Sequence, residues 1–235
     1  MRLLLVGGSG HVGTLVNPYL KAAHTLRVYD LRPPADATIA HWAGDVTDFA
    51  NLRQAAEGMD LLLYMAMNTM KGDEITVANS SFDVNIKGVY FALRAAREAG
   101  IAHAVYCSSM SVYDGDLESR YFFDESMPHD ARGTYAFTKR LGEEVCQNAS
   151  TLHGLSVNPL RLCYPISREN WLAQAVKGVP GIATEAEDVA RAMVAALEYR
   201  NGFQAFQISG DYENKIMNMG KAKRLLGWEP LARPE

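Results

Sequence analysis

The stretch that decides the fold lies at the start of the chain and reads Leu3-Leu4-Leu5-Val6-Gly7-Gly8-Ser9-Gly10-His11-Val12-Gly13. The apolar run predicts a buried strand, and the glycines predict a tight turn into a helix. Two spacings overlap: Gly8-x-Gly10-x-x-Gly13 is the common dinucleotide-binding pattern, and Gly7-x-x-Gly10-x-x-Gly13 is a close variant. In either register the first-turn amides of the helix would face a pyrophosphate.

An acidic residue follows this turn at the distance typical of the pattern. Asp30 ends the second predicted strand, 20 positions after Gly10. A carboxylate there accepts hydrogen bonds from the adenosine ribose and repels a 2′-phosphate, which favours NAD over NADP. Arg32 is the competing signal, because a guanidinium can accommodate a 2′-phosphate. The alternative for Asp30 is an ordinary turn residue at a strand end.

Short apolar runs and longer helical patterns alternate along the rest of the chain. This alternation predicts an α/β fold with a doubly wound parallel sheet of the Rossmann type. The predicted strands are Arg2–Val6, Thr25–Tyr29, Thr38–Trp42, Leu61–Ala66, Ala102–Cys107, Ser156–Leu162 and Ala205–Ile208. The predicted helices are His11–Ala22, Phe49–Glu57, Thr76–Ala99, Tyr135–Leu152, a short one near Asn170–Val176, Glu185–Tyr199 and Lys215–Leu226.

The composition excludes several classes of protein. The 235 residues carry 23 Lys and Arg against 27 Asp and Glu, a net charge of −4 that offers no footprint for nucleic acid or an anionic membrane. No apolar run approaches the roughly 18 residues of a membrane-spanning helix. The three cysteines are widely spaced and the histidines scattered, so we expect no disulfide framework, no metal site and a cytoplasmic location.

A second group of residues predicts proton-transfer chemistry. Tyr135 and Lys139 are four positions apart on a predicted helix and therefore share a face. Ser108 and Ser109 end an apolar strand, at the sheet edge where doubly wound folds bind ligands. A tyrosine near its ordinary pKa is a poor base at neutral pH, and a neighbouring ammonium favours the phenolate. If Tyr135 were a general acid/base, Lys139 would therefore depress its pKa; the alternative is an ordinary surface Tyr–Lys pair, since this spacing alone is common.

Together these motifs resemble the extended short-chain dehydrogenase/reductases, the NAD-dependent epimerase/dehydratase type. The resemblance covers nearly the whole chain and is specific because its motifs occur in order. They are Gly7–Gly13, Asp30, Gly44-Asp45-Val46, Met65-Ala66-Met67, Asp83-Val84-Asn85 with Gly88, Ser108-Ser109 with Val112-Tyr113, Tyr135-x-x-x-Lys139, Leu160-Arg161-Leu162, Glu187-Asp188-Val189-Ala190 and Ala222–Pro230.

The resemblance implies a role for each matching position. Ser109 would hydrogen-bond the reacting oxygen, Tyr135 would transfer the proton, and Lys139 would hold the nicotinamide ribose. The implied cofactor contacts are Gly7, Gly10, His11, Val12, Gly13, Asp30, Asp45, Val46, Met65, Ala66, Met67, Asn85, Tyr135 and Lys139. The expected substrate contacts are Asn68, Ser109, Ser111, Tyr135 and Arg161, although a structural ion pair is an equal alternative for Arg161.

The expected organisation is an NAD-binding part over residues 1–160 and a small substrate lobe over 161–235 within the same globular unit. Dehydratases of this type carry an Asp-Glu pair after the catalytic hydroxyl residue, where this chain has Met110-Ser111. The 26 residues between Arg161 and Asp188 leave little room for a nucleotide-sugar lobe. The compact form partly resembles uronate dehydrogenase, which carries Asn-His at the position of Met110-Ser111.

These features favour an oxidoreductase that transfers hydride between NAD and a small sugar or sugar acid. Two alternatives stay open: a nucleotide-sugar epimerase that retains NAD tightly, and a non-catalytic dinucleotide sensor. The resemblance also implies a homodimer formed through the helices Thr76–Ala99 and Tyr135–Leu152. Their apolar residues Phe82, Tyr90, Phe91, Phe137, Leu141 and Val145 either support this interface or belong to the core.

Overall fold

The computed structural model describes residues 1–175 and 181–233. Within these residues the main sheet has seven strands, and a separate pair lies beside it. The main strands are β1 (Arg2–Val6), β2 (Thr25–Asp30), β3 (Ala40–Ala43), β4 (Leu61–Tyr64), β5 (His103–Ser109), β6 (Ser156–Leu162) and β9 (Phe206–Ile208), and the pair is β7 (Pro165–Ile166) with β8 (Thr184–Glu185).

Helices follow most of these strands. They are α1 (His11–Ala23), α2 (Phe49–Ala56), α3 (Glu74–Phe82), α4 (Val89–Glu98), α5 (Thr134–His153), α6 (Arg168–Ala175), α7 (Ala186–Glu198) and α8 (Gly220–Leu226). A π-turn over Asp83–Gly88 joins α3 to α4, and 3₁₀ turns cover Met110–Val112 and Leu117–Ser119.

Apolar residues cover both faces of the sheet, which explains the continuous apolar runs in the sequence. Alternate residues of β1 enter different cores: Leu3 and Leu5 pack on one face with α1, α7 and α8. Leu4 and Val6 pack on the other face with α2, α4 and α5. The predicted doubly wound α/β fold is therefore confirmed.

The strand order places a cleft at one edge of the sheet. The order is β3-β2-β1-β4-β5-β6-β9, and each paired register is parallel. The chain moves outward from β1 in one direction through β2 and in the other through β4. A crevice forms where the order reverses, beyond the carboxyl ends of β1 and β4.

Three predicted elements differ from the structure. The single helix expected over Thr76–Ala99 begins at Glu74 and is interrupted by the π-turn. The C-terminal helix begins at Gly220 rather than Lys215, because the Asp211 carboxylate accepts the amides of residues 215–217 and holds them in a loop. The short helix near 170–176 is found as Arg168–Ala175, and position 176 lies outside the described residues.

None of the helices in the described ranges combines the length and the apolar character that crossing a membrane requires.

Candidate active site

The conformation of the glycine turn shows which of the two overlapping glycine spacings applies. Gly7 has φ of +83°, and a Cβ at this position would lie 2.3 Å from the Cα of Ala66. Gly7 and Gly10 line the cleft, whereas Gly8 packs against Val28 beneath the turn. The structure therefore supports the variant Gly7-x-x-Gly10-x-x-Gly13, in which the first glycine brings the turn against the end of β4.

Gly13 acts through packing. A Cβ there would lie 2.2 Å from the Gly8 carbonyl oxygen, so only glycine lets α1 approach the turn this closely. Gly13, which was predicted to contact the cofactor, does not line the cleft, and its close approach to Gly8 places the helix. The N-cap residue Gly10 offers no side chain to the first-turn amides of α1, which leaves them available to an anion.

Asp30 closes the adenosine side of the turn. Its carboxylate accepts the backbone N–H of Ser9 at 3.0 Å and that of Arg32 at 3.1 Å, and it lines the cleft. These bonds fix the carboxylate next to the glycine turn, where ribose hydroxyls would meet it. The donor and acceptor set fits a dinucleotide: free amides for the pyrophosphate and a fixed carboxylate for the ribose.

The cleft has a volume of about 1230 Å³, larger than the roughly 300–1,000 Å³ of an ordinary small-molecule pocket. This volume suits a dinucleotide together with a small second ligand. Most of the predicted site residues line it: Gly7, Gly10, His11, Val12, Asp30, Asp45, Val46, Met65, Ala66, Met67, Asn68, Ser109, Ser111, Tyr135 and Lys139.

Loops after β3 and β4 form the wall opposite the glycine turn. The Asp45 carboxylate accepts the N–H and the hydroxyl of Thr47, each at 2.8 Å, so its orientation is fixed. Met65, Ala66 and Met67 follow β4 and continue this wall toward the catalytic end. Met67 is 57% exposed and therefore belongs to the mouth of the cleft rather than to the core.

Ser109, Tyr135 and Lys139 meet at the other end of the cleft. Ser109 is the last residue of β5, and its Oγ accepts the N–H of Ser111 at 3.1 Å. Tyr135 and Lys139 project from the first two turns of α5. The Lys139 Nζ donates to the Cys107 carbonyl at 2.9 Å and lies 6.0 Å from the centre of the Tyr135 ring. The spacing in the sequence therefore brings all three groups to one place.

The pKa of Tyr135 departs from the expectation. Burial raises the pKa of Tyr135, and a hydrogen bond with Ser109 partly offsets this. Lys139 lies beneath the ring and bonds a carbonyl, and burial lowers its own pKa to about 8. The expected depression of the Tyr135 pKa by Lys139 is therefore not a feature of this structure, in which Ser109 is the group that favours the phenolate.

Asn85 lies beneath the cleft and does not line it. Its Nδ2 donates to Asn68 Oδ1 and to Thr138 Oγ1, each at 3.0 Å, and it is fully buried. Asn68 does line the cleft, with its own Nδ2 donating to the Thr69 carbonyl at 2.9 Å. Asn85, which we expected to contact the cofactor, thus reaches the cleft only through its hydrogen bond to Asn68.

Arg161 likewise lies outside the cleft. It is 3% exposed, and its NH2 donates to Glu143 Oε2 at 2.8 Å. Its NH1 donates to the hydroxyl of Tyr113 at 2.7 Å. The expectation that Arg161 contacts the substrate does not match this placement. The alternative of a structural ion pair does.

Glu143 is the residue that the sequence interpretation missed. It is four positions after Lys139 on α5, 3% exposed, and accepts the Ser108 hydroxyl at 2.5 Å. It therefore links the helix that carries Tyr135 to the strand that carries Ser109. The signal was available: Glu143 continues the Tyr135–Lys139 face of the helix by one more turn.

Tyr164, just after β6, also lines the cleft and was not singled out by any motif. Ser111, which was singled out, has a buried Oγ without a hydrogen-bond partner among the described residues. Over the same residues, no cluster of His, Cys, Asp and Glu has the geometry of a metal site.

Comparisons with known proteins show which family the chain resembles in sequence. The model of the NAD dependent epimerase/dehydratase family matches residues 3–179. A 3-beta-hydroxysteroid dehydrogenase of Mycolicibacterium neoaurum is 32% identical over 155 residues, covering 61% of this chain and 42% of the relative. The uronate dehydrogenase of Pseudomonas syringae pv. tomato is 27% identical over 167 residues, covering 68% of this chain and 58% of the relative. The chain thus spans about half the length of these relatives.

A variant of uronate dehydrogenase from Agrobacterium tumefaciens, crystallised with NAD, superimposes with a TM-score of 0.81. It is 18% identical, and the alignment covers 98% of this chain and 84% of that structure. At this identity the likeness shows the fold. The match of the family model over most of the chain, together with the glycine turn, Asp30 and the Ser109–Tyr135–Lys139 cluster, shows that the chain belongs to the NAD-dependent epimerase/dehydratase family, whose cofactor is NAD.

Proposed function

We propose that the chain is an NAD-dependent oxidoreductase that acts on a small sugar or sugar acid, with Tyr135 as the general acid/base. The observation that carries the proposal is the meeting of Tyr135, Ser109 and Lys139 at one end of a cleft large enough for a dinucleotide. Bound nicotinamide supplies the hydride acceptor or donor. The protein residues supply the proton and the orientation.

Each residue of the cluster has a defined task in this proposal. The Ser109 Oγ holds the reacting oxygen, and the Tyr135 hydroxyl exchanges a proton with it. Lys139 is anchored by the Cys107 carbonyl and presents its remaining N–H donors to the nicotinamide ribose. Asp30 receives the adenosine ribose, and the first-turn amides of α1 receive the pyrophosphate.

The surroundings of Ser109 support oxidation or reduction rather than elimination of water. Among the described residues, those of the segment after β5 that line the cleft carry no carboxylate: Met110, Ser111, Tyr113, Gly115 and Leu117. Ser111 has an unpartnered hydroxyl within this part of the molecule and suits a sugar hydroxyl.

We place the substrate-binding part of the chain in residues 161–235 and the NAD-binding part in residues 1–160.

The relatives include a steroid dehydrogenase and a sugar-acid dehydrogenase, and the second of these supports a sugar. A uronate dehydrogenase is among them, and the segment between β6 and α7 holds α6 and the short pair β7–β8.

We also propose a homodimer and a cytoplasmic location. Exposed Phe82, Tyr90 and Phe137 support the former, and three buried cysteines without disulfides support a reducing compartment.

A cofactor-reduction assay tests the proposal. The purified protein is incubated with NAD and each of D-glucuronate, D-galacturonate, D-glucose and D-galactose, and NADH absorbance is followed. We expect turnover of at least one sugar, and a loss of about 10²–10⁴-fold in kcat/KM for Tyr135→Phe with NAD affinity unchanged. Tyr19→Phe, an exposed tyrosine outside the cleft, is the matched control.

Three results would contradict the proposal. Near-normal turnover by Tyr135→Phe would remove the acid/base assignment. Turnover of a nucleotide sugar by protein with tightly held NAD, without net NADH formation, would establish the epimerase alternative. Binding of NAD without turnover of any sugar or nucleotide sugar, in wild type and Tyr135→Phe alike, would establish the non-catalytic sensor.

A further inference from the structure

Tyr164 combines an unfavourable backbone with an exposed aromatic ring. Its φ is +39°, in the left-handed region that bulky residues rarely adopt. It also precedes Pro165, and residues before proline normally adopt extended conformations. Its side chain is 59% exposed, so packing in the core does not explain the conformation. An outlier of this kind at a cleft is grounds for proposing a function.

Neighbouring contacts hold this backbone in place. The Tyr164 carbonyl accepts the N–H of Thr184 at 3.2 Å. The Pro165 carbonyl lies 3.0 Å from Nε2 of His11 in the glycine turn. Since a carbonyl only accepts, Nε2 carries the proton in this contact. On the N-terminal side, the Cys163 carbonyl accepts the Thr184 hydroxyl at 2.7 Å. The backbone is therefore held on both sides of the Tyr164 Cα, which fixes the direction of its Cα–Cβ bond.

The ring belongs to the catalytic end of the cleft. Ser109 pairs with Leu162 in the register of β5 with β6, so Tyr164 follows two residues beyond the partner of Ser109. Tyr164 lines the same cleft as Ser109 and Tyr135. Asp30 and Asp45, at the adenosine end, follow β2 and β3, on the far side of β1 in the sheet. The ring is thus close to where the second ligand reacts.

We infer that the Tyr164 ring is a stacking platform for the C–H face of the sugar and determines which sugars bind. This inference rests on the proposed function. A pyranose or its lactone has hydroxyls at its edge and an apolar face of C–H bonds. The negative face of an aromatic ring attracts such C–H groups, while nearby polar groups, Ser111 among them, fix the orientation of the edge.

Two substitutions separate this role from a structural one. Tyr164→Phe keeps the stacking face and removes the hydroxyl. Tyr164→Asn removes the face, and asparagine tolerates positive φ better than most residues. We measure kcat and KM for the panel sugar with the highest wild-type kcat/KM, the Kd of NAD in the absence of sugar, and Tm.

For Tyr164→Asn we expect KM for the sugar to rise about 10-fold, with the Kd of NAD within about 2-fold and Tm equal or higher. For Tyr164→Phe we expect KM within about 2-fold of wild type. A structural role predicts the reverse pattern, in which Tm falls and the Kd of NAD and the KM change together.

Three outcomes overturn the inference. An unchanged KM in an active Tyr164→Asn variant removes the platform while leaving the proposed function intact. A weakened Kd of NAD with unchanged KM assigns the ring to the cofactor. Failure of wild type to turn over every sugar of the panel rejects the proposed function itself, and the platform falls with it.

Discussion

The buried surroundings of Lys139 disfavour the positive charge of its ammonium group. The side chain is 3% exposed, and burial lowers its pKa from 10.5 to about 8. Its Nζ faces the Cys107 carbonyl and lies 5.0 Å from the centre of the Tyr106 ring. The charged ammonium is therefore kept at neutral pH at a cost in folding free energy, which we interpret as the cost of holding the nicotinamide ribose.

Lys139→Met tests this interpretation. The native pKa lies below the unfolded value, so the unfolded state binds more protons between about pH 8 and 10.5. The stability of wild type relative to the variant should accordingly rise with pH across that window, because the buried cysteines, whose pKa values are raised, titrate in both proteins. At pH 7 we expect the free energy of unfolding of the variant to exceed that of wild type by on the order of 1–3 kcal/mol. We also expect the variant to have lost its turnover. Urea unfolding at a series of pH values measures this.

A variant less stable than wild type at pH 7 would instead assign Lys139 a net stabilising role through its bond to Cys107. Lys21→Met serves as the control, since that lysine pairs with Asp36 at the surface and both side chains are 43% exposed. Such surface pairs contribute about 0–1 kcal/mol. The difference in stability between Lys21→Met and wild type should therefore change little with pH.

Helix α5 connects the proposed catalytic residues to the buried ion pair of Glu143 with Arg161. Tyr135 and Lys139 occupy its first two turns, and Glu143 follows on the next. Glu143 accepts hydrogen bonds from Ser108 on β5 and from Arg161 on β6, so one carboxylate links a helix to two strands. The geometry of the site thus depends on a pair that touches neither ligand.

Breaking that pair should be costly and strongly non-additive. Arg161→Met leaves a buried carboxylate without its partner, and we expect a loss of about 3–5 kcal/mol in the free energy of unfolding. The same reasoning applies to Glu143→Gln. The double variant removes both charges and should lose clearly less than the sum. Denaturant unfolding of the four proteins gives the coupling free energy.

The exposed pair Lys87–Asp83 is the control, with side chains 47% and 49% exposed and a four-residue helical spacing. Its coupling should stay within about 0.5 kcal/mol. Additive losses at Glu143 and Arg161 would mean that the two side chains stabilise the fold independently.

At the level of elements, sequence patterns predicted most of what local chemistry determines. The structure brings the glycine turn, Asp30 and the Tyr135–Lys139 pair to one cleft, because each lies at or just beyond the end of a predicted strand or on one face of a predicted helix. For Arg161 a substrate contact and a structural ion pair were equal alternatives, because no pattern shows which way a strand residue points when both faces are buried. Its partner Glu143 lies 18 positions earlier, and only the fold brings the two together.

The π-turn was missed for a different physical reason. Apolar periodicity reports the face of a helix and does not report its hydrogen-bonding pattern. Residues 215–219 were wrongly predicted as helix because propensity does not reveal that the Asp211 carboxylate accepts three successive amides. Side chains that compete with the backbone in this way are visible only in three dimensions.

For the molecule as a whole, exposed apolar side chains on α3, α4 and α5 support a dimer. Phe82, Tyr90 and Phe137 are 47%, 47% and 37% exposed. By contrast Phe91, Leu141 and Val145 are at least partly covered, so the apolar residues of these helices divide between core and surface. Groups of exposed aromatic residues on neighbouring helices are typical of an interface.

Phe137→Glu should shift the protein from dimer to monomer. A charge placed in an apolar interface on both subunits is repelled twice by the symmetry of a dimer. Sedimentation equilibrium at micromolar concentration measures the change, with Leu231→Glu, 60% exposed and outside these helices, as the control. A wild-type protein that sediments as a monomer would reject the dimer.

The π-turn over Asp83–Gly88 bears on how this chain tolerates insertions and deletions. Such a turn absorbs one additional residue locally, so the helices on its two sides keep their own faces. Asn85 lies inside the turn, and Gly88 marks its closest approach to β4, where a Cβ would lie 2.5 Å from the Tyr64 hydroxyl. A shortening by one residue here would straighten the helix and displace the Asn85 amide, while the surfaces of α3 and α4 keep their orientation. A change at this one position would therefore move the Asn85 side chain without reorienting the two helices.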